Sequence, residues 1–144
     1  MKAYSFPMEK VLEWRTHSEK STMEKFAVLQ NELQHHKLVL LELTNRYEST
    51  KERSLKYKTI QELLQQQLYK QKLEEKISLQ NKAINSTSAN LEKVRVELIA
   101  AQKDRKIMEK LKEKDFSTYN DEVKDEEQRE LDEIAVLKFK KKTF

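Results

Sequence analysis

The side chains best suited to acid–base or metal chemistry in this 144-residue chain are three histidines, His17, His35 and His36. A helical metal pair needs ligands one turn apart, at i and i+4, so that both rings share a face. His35 and His36 are adjacent and project about 100° apart on a helix, which denies them a common ion. Asp125-Glu126-Glu127 and Asp132-Glu133 gather carboxylates, but on a water-exposed helix nothing raises a carboxyl group toward neutral pH for proton transfer. The chain has no cysteine, which removes disulfides, thiol redox chemistry and thiolate-bound zinc. It also has no glycine. Phosphate-cradling loops, dinucleotide fingerprints and nucleophile elbows all need backbone geometry that a side chain forbids. No catalysis, cofactor or metal is therefore expected.

The elements that position these side chains follow from composition and periodicity. Charged residues make up 38% of the chain and hydrophobic ones 37%, with a single proline, the balance of long, water-exposed helices in one domain at most. From Phe26 the apolar positions run Phe26, Leu29, Leu33, His36, Leu40, Leu43, Tyr47, with spacings of three and four. That is an a/d heptad seam. It extends backwards through Thr22, Glu19, Arg15, Leu12 and Met8, and fades after Thr50 and Ser54. A first helix over about 7–53 is predicted, with Pro7 tolerated at its first position. A second seam runs Leu73, Ile77, Gln80, Ile84, Thr87, Leu91, Val94, Leu98, Ala101, Arg105, Met108. Thr59-Ile60-Gln61-Glu62 has the form of a capping box at its start. The spacing places a turn at about 54–58 and a second helix over about 59–140. A rival turn, Asn85-Ser86-Thr87-Ser88-Ala89-Asn90, is rich in poor helix formers. The second seam crosses it in register, so it is expected as a kink.

The fold class expected is all-α: an antiparallel two-helix coiled coil, or long α-hairpin, with an overhanging C-terminal helix. A turn at 54–58 makes facing residue numbers add to about 112 in an αα-hairpin. Tyr69 then faces Leu43, Leu73 faces Leu40, Lys76 faces His36, and Arg105 lies near Pro7. The paired region is about 70 Å long at about 1.5 Å per residue, and 106–140 would overhang. That stretch is either a frayed tail or a probe that docks into another protein, with Leu131, Ile134 and Ala135 on one stripe.

Charge is laid out unevenly. Residues 1–114 carry 23 basic and 16 acidic side chains, 115–137 carry 2 basic and 9 acidic, and the last seven add four lysines. Glutamates alternate with lysines throughout, so the dense basic helix of a zipper-type DNA binder is missing and no nucleic acid partner is expected. The longest apolar runs, such as Leu38-Val39-Leu40-Leu41 and Ile134-Ala135-Val136-Leu137, hold four residues where a bilayer span needs about 20. No membrane insertion is expected, and Met1 to Lys10 lacks the apolar stretch of a secretory signal.

The opening Phe6-Pro7-Met8-Glu9-Lys10-Val11-Leu12-Glu13-Trp14-Arg15 resembles the start of the flagellar export protein FliJ family, with Met8 where leucine is usual. The closing Glu127-Gln128-Arg129-Glu130-Leu131-Asp132-Glu133-Ile134-Ala135 is similar to that family's C-terminal signature. The resemblance covers the full length. It implies a non-enzymatic, cytoplasmic component of the flagellar type III export apparatus, peripherally associated with the cell membrane. Such a protein is similar to the central stalk of rotary ATPases, inserts into the hexameric export ATPase ring (FliI-type), contacts the cytoplasmic domain of the export-gate protein (FlhA-type), and escorts free export chaperones. The resemblance places ATPase contacts at Met8, Leu12, Arg15, Leu131, Ile134 and Lys138. It places gate contacts at His36, Leu40, Leu43 and Tyr47 on the first helix and Tyr69, Leu73, Lys76 and Gln80 on the second. His36 and Leu43 stand where the family more often has glutamine and tyrosine, and Leu40, Leu43 and Leu73 also serve as plain seam residues. A tethering coiled coil, or a stalk of an injectisome or other rotary ATPase, is the alternative.

Overall fold

The computed structural model describes residues 3–53, 56 and 59–143, and Thr143 only in its backbone. Two helices make up the fold, α1 (Glu9–Arg53) and α2 (Ile60–Thr143), and no strand occurs among the described residues. They pack against each other antiparallel, as an all-α helical hairpin. Of the turn expected at 54–58, residues 54, 55, 57 and 58 lie outside the described residues. The residues 85–90 stay helical within α2, where Thr87 is buried in the seam.

Local chemistry sets the helix starts. Pro7 and Met8 form a turn in which the Glu9 amide donates to the Phe6 carbonyl at 3.2 Å, using the φ that proline fixes in advance. At the start of α2 the Glu62 amide donates to Thr59 Oγ1 at 3.3 Å, an N-cap that satisfies one of the four unpaired amides of a first turn. Basic residues occupy both last turns, Lys51 and Arg53 in α1 and Lys140, Lys141 and Lys142 in α2, where they complement the helix dipole.

The chain divides into two compact units, one of Met1–Glu19 with Ala100–Phe144 and one of Lys20–Ile99. In the second, the seam positions on α1 from Thr22 to Thr50 are all buried or half-buried, as are those on α2 from Leu73 to Leu98. Its register differs from the expected one. Gln80, not Lys76, meets His36: its Nε2 donates to the His36 carbonyl at 3.0 Å and lies 3.0 Å from Nδ1. Lys76 is exposed, and Tyr69 shares a groove with Arg46, Thr50 and Arg53 rather than facing Leu43. The cause lies where α1 ends. The Thr50 carbonyl belongs to the last turn of α1, and the buried Gln66 side chain donates to it through Nε2. Holding Gln66 there lets α2 overshoot α1, so Ile60, Leu63 and Leu64 remain exposed.

In the terminal unit the pairing extends further than expected. Arg105 does not lie near Pro7; it pairs with Glu19. Arg15 pairs with Asp104 at 2.6 Å and Glu9 with Lys112 at 2.8 Å. Before α1 the chain is not helical, and it continues along α2 as a strap. Phe6, Leu12 and Met108 form a buried cluster with Tyr4 packed against it. The overhang therefore does not begin at 106. α1 itself reaches Lys112 through Glu9, and Tyr4 in the strap carries the cover on to Phe116 and Tyr119. Cover ends near Val123, and every residue from 124 to 142 is exposed.

Candidate interaction surfaces

Three surfaces follow from this geometry. The first is the aromatic cluster at the strap. The Tyr4 ring meets Phe116 edge-on at 4.9 Å and Tyr119 at 5.2 Å. Its hydroxyl donates to Asp115 Oδ2 at 3.1 Å and toward the Lys112 carbonyl at 3.4 Å. Burial first, then the hydrogen bond to Asp115, raises the Tyr4 pKa above the ordinary tyrosine value. Heptad counting passes over Tyr4, Phe116 and Tyr119, because Tyr4 precedes α1 and the α2 seam legible in the apolar spacing ends at Met108. Two aromatics two residues apart before a proline were the available signal.

The second surface surrounds Tyr47 on α1. Its hydroxyl donates to Glu74 Oε1 at 2.8 Å, and the Lys51 and Lys70 ammonium groups each stand 5.5 Å from its ring centroid. That hydrogen bond is the main reason its pKa is raised. Of the eight residues predicted here, His36, Leu40, Leu43, Tyr47 and Gln80 are half-buried in the seam. Leu73 is 2% exposed and closed off as core, whereas Tyr69, 47% exposed, and Lys76 face solvent. The structure joins His36 to Gln80 directly, and it brings Glu74, absent from the prediction, to Tyr47.

The third surface is the bare end of α2, where Leu131 is 60% and Ile134 50% exposed and Lys138 is exposed beside them. Lys138 lines a shallow groove with Ile134, Leu137 and Lys141. The other three residues predicted to act with this end do not lie beside it. Met8 is exposed, Leu12 is buried against Phe6 and Met108, and Arg15 is tied to Asp104. Glu9 pairs with Lys112, and from there to Leu131 α2 runs about 28 Å at about 1.5 Å per residue. Among the described residues no three His, Cys, Asp or Glu side chains gather to hold a metal ion, and no helix is long and apolar enough to cross a membrane.

The family model described as Flagellar FliJ protein matches residues 4–143. The chain belongs to the FliJ family. It is a flagellar export-associated protein, and its family is a non-catalytic component of flagellar export. No curated protein and no solved structure matches this FliJ-family chain closely enough to add a relative. The match begins at Tyr4, inside the strap, and runs to the end of α2.

Proposed function

We propose that this FliJ-family chain acts as the central stalk of the export ATPase ring and as the escort that links free chaperones to the export gate. The observation that carries the proposal is the bare helix end. A lone helical stretch is marginal in water, and this one presents Leu131 and Ile134 without cover from its own chain. A ring's central opening would complete it, with the acidic stretch 125–133 and the lysines at 138–142 meeting ring residues of opposite charge.

Leu131, Ile134 and Lys138 supply the ring contact from α2, and Met8 is the member of the α1 set that is exposed to join them. Leu12 and Arg15 act by holding α1 to α2. At the gate-facing stripe Tyr69, Tyr47 and Lys76 are the accessible members, since aromatic side chains with a polar tip are favoured at interfaces. His36, Leu40, Leu43, Leu73 and Gln80 fix the seam beneath them. The site of action is the cytoplasmic face of the membrane, held there by the gate protein.

Mixing the chain with its cognate export ATPase and measuring ATP hydrolysis and ring assembly tests the proposal. Wild type should raise both, and Leu131→Asp with Ile134→Asp should abolish the effect while helix content is kept. Equal stimulation by the double variant, or no complex with wild type by sedimentation, refutes it. Gate binding is read separately, as loss of affinity for the gate's cytoplasmic domain in Tyr69→Ala.

A further inference from the structure

The bare end of α2 has an internal polarity that stalk docking does not use. Residues 125–133 hold six carboxylates and one arginine, and 138–142 hold four lysines around Phe139. Leu131, near the end of the acidic stretch, and Ile134, just beyond it, lie on one stripe, both exposed. Like pairing of two such segments in parallel would set acid on acid and lysine on lysine. Antiparallel pairing sets Asp125, Glu126 and Glu127 against the other copy's basic tip and leaves like charges together only at Asp132 and Glu133, beside the two-fold axis. The two ends of the segment are therefore complementary to each other when one copy is reversed.

We infer that residues 124–142 form a docking surface for the same segment of a second copy of this chain, paired antiparallel about a two-fold axis. The register follows from the seam. With Leu131 of one copy layered on Ile134 of the other, and the reverse, Glu127 of each falls opposite Lys138 of its mate. The tip 138–142 then runs along 123–127, where Asp125, Glu126 and Glu127 outweigh Lys124. This pairing ends at Val123, where the strap's cover on α2 begins, so the second copy occupies the bare stretch without displacing the strap. A two-fold contact of this kind uses the same patch on both copies and closes at two.

The segment spans about 28 Å at about 1.5 Å per residue, and such a helix pair buries less than the about 800 Å² per partner of a standard stable interface. The dimer is accordingly weak and salt-sensitive. It uses Leu131, Ile134 and Lys138, so it and ring docking exclude each other, but it is measured without any ATPase and stands or falls independently of the stalk proposal.

Sedimentation equilibrium of the full chain across concentration and salt tests it. A dimer populated at about 100 μM and lost near 1 μM is expected for so small a contact, with dissociation promoted by salt. Glu127→Lys and Lys138→Glu should each weaken it about tenfold, since each reverses two symmetric ion pairs. The double variant Glu127→Lys/Lys138→Glu should restore wild-type association, because the swap recreates both pairs. Circular dichroism confirms that each variant keeps its helix content. A chain that is monomeric at every concentration in low salt overturns the inference, as does a dimer indifferent to the single changes or not rescued by the double. Binding to vesicles of anionic phospholipid by a chain that stays monomeric in solution would overturn it too, assigning the face to lipid.

Discussion

The two units use one heptad pattern but fill it with different chemistry. In the unit Lys20–Ile99 the seam is aliphatic or neutral, with Leu73 as its most buried side chain and Thr50, Gln66 and Thr87 buried as uncharged polar residues. Two of its cross-helix bonds, Gln66 to Thr50 and Gln80 to His36, involve no charge that salt can screen, and a third sets the neutral Tyr47 hydroxyl on the Glu74 carboxylate without pairing opposite charges. In the terminal unit the seam positions Arg15, Glu19 and Arg105 are charged, and the contacts are ion pairs backed by a strap of aromatic residues. The buried Glu19 carboxylate, followed by Glu109, holds the Arg105 pKa even higher than usual. Neutral seams hold register through shape and direct hydrogen bonds. Charged seams hold it through pairs whose strength depends on the medium. The half that carries the bare helix end is thus the half that ionic conditions can loosen.

The largest effect that tests this contrast is truncation of the neutral seam. Leu73→Ala should destabilise the chain by about 2–4 kcal/mol, the range for a leucine lost from a packed interior, read from urea unfolding monitored by circular dichroism. Lys76→Ala, less than a turn away and exposed, should stay within about 0.5 kcal/mol. Equal losses would mean that the seam is not where burial places it. Next in size is a salt effect confined to the terminal unit. Raising salt from 0.1 M to 1 M shortens the screening length from about 10 Å to about 3 Å, and half-buried pairs still reached by solvent, such as Arg15–Asp104 and Glu9–Lys112, contribute up to about 1 kcal/mol each. Amide exchange around 9–19 and 100–115 should speed up several-fold, while 66–98 changes little. Uniform acceleration would erase the distinction between the two halves.

Much of this organisation was legible in the residues. The alternation of three and four spacings located the seam on both helices, because a heptad stripe must be covered whatever covers it. Register was not legible, since sliding one helix past the other by whole heptads leaves that stripe unchanged. The choice among slides falls to single polar residues, Gln66 reaching the end of α1 and Arg105 reaching Glu19, and an apolar count passes over both. The later start of the overhang has the same origin: the pairs Glu9–Lys112 and Arg105–Glu19 set α1 further along α2 than the expected register, so α1 itself covers α2 to Lys112 and Tyr4 carries the cover on to Tyr119. At the interaction surfaces, the end motifs marked Leu131 and Ile134 as candidates. They carried no information on Glu74 or Tyr119, whose roles depend on which turn of the other segment arrives beside them.

Gln66→Ala sharpens the account of register. It removes the donor to the Thr50 carbonyl and leaves a buried acceptor unmet, a change of about 1–2 kcal/mol. With that tie gone, the contacts of His36 with Gln80 and of Tyr47 with Glu74 should broaden by NMR, a change that a simple local loss would not produce. Gln66→Glu, which keeps the shape but supplies no donor to a carbonyl, should behave like alanine. Retention of both cross-helix contacts at full intensity would show that register is set elsewhere.

The smallest effect lies at alkaline pH and compares the two halves through one residue type. Tyr4 and Tyr47 each donate a hydroxyl proton to a carboxylate, Asp115 and Glu74 respectively, and both have raised pKa values. Folding therefore favours their protonated forms. The contribution is fully present below the ordinary tyrosine pKa and is lost as pH rises through the raised values, because an ionised phenol would face a carboxylate with no proton between them. Absorbance of tyrosinate should show a late-titrating fraction that shrinks in Tyr4→Phe and in Tyr47→Phe. For Tyr4 burial is the larger cause, so Asp115→Asn should leave part of its delay in place. For Tyr47 the hydrogen bond dominates, so Glu74→Gln should bring its titration most of the way back. If the two carboxamide variants shift their tyrosines equally, the strap shelters Tyr4 no better than the half-buried seam shelters Tyr47, and the aromatic cluster loses its claim to seal the terminal seam.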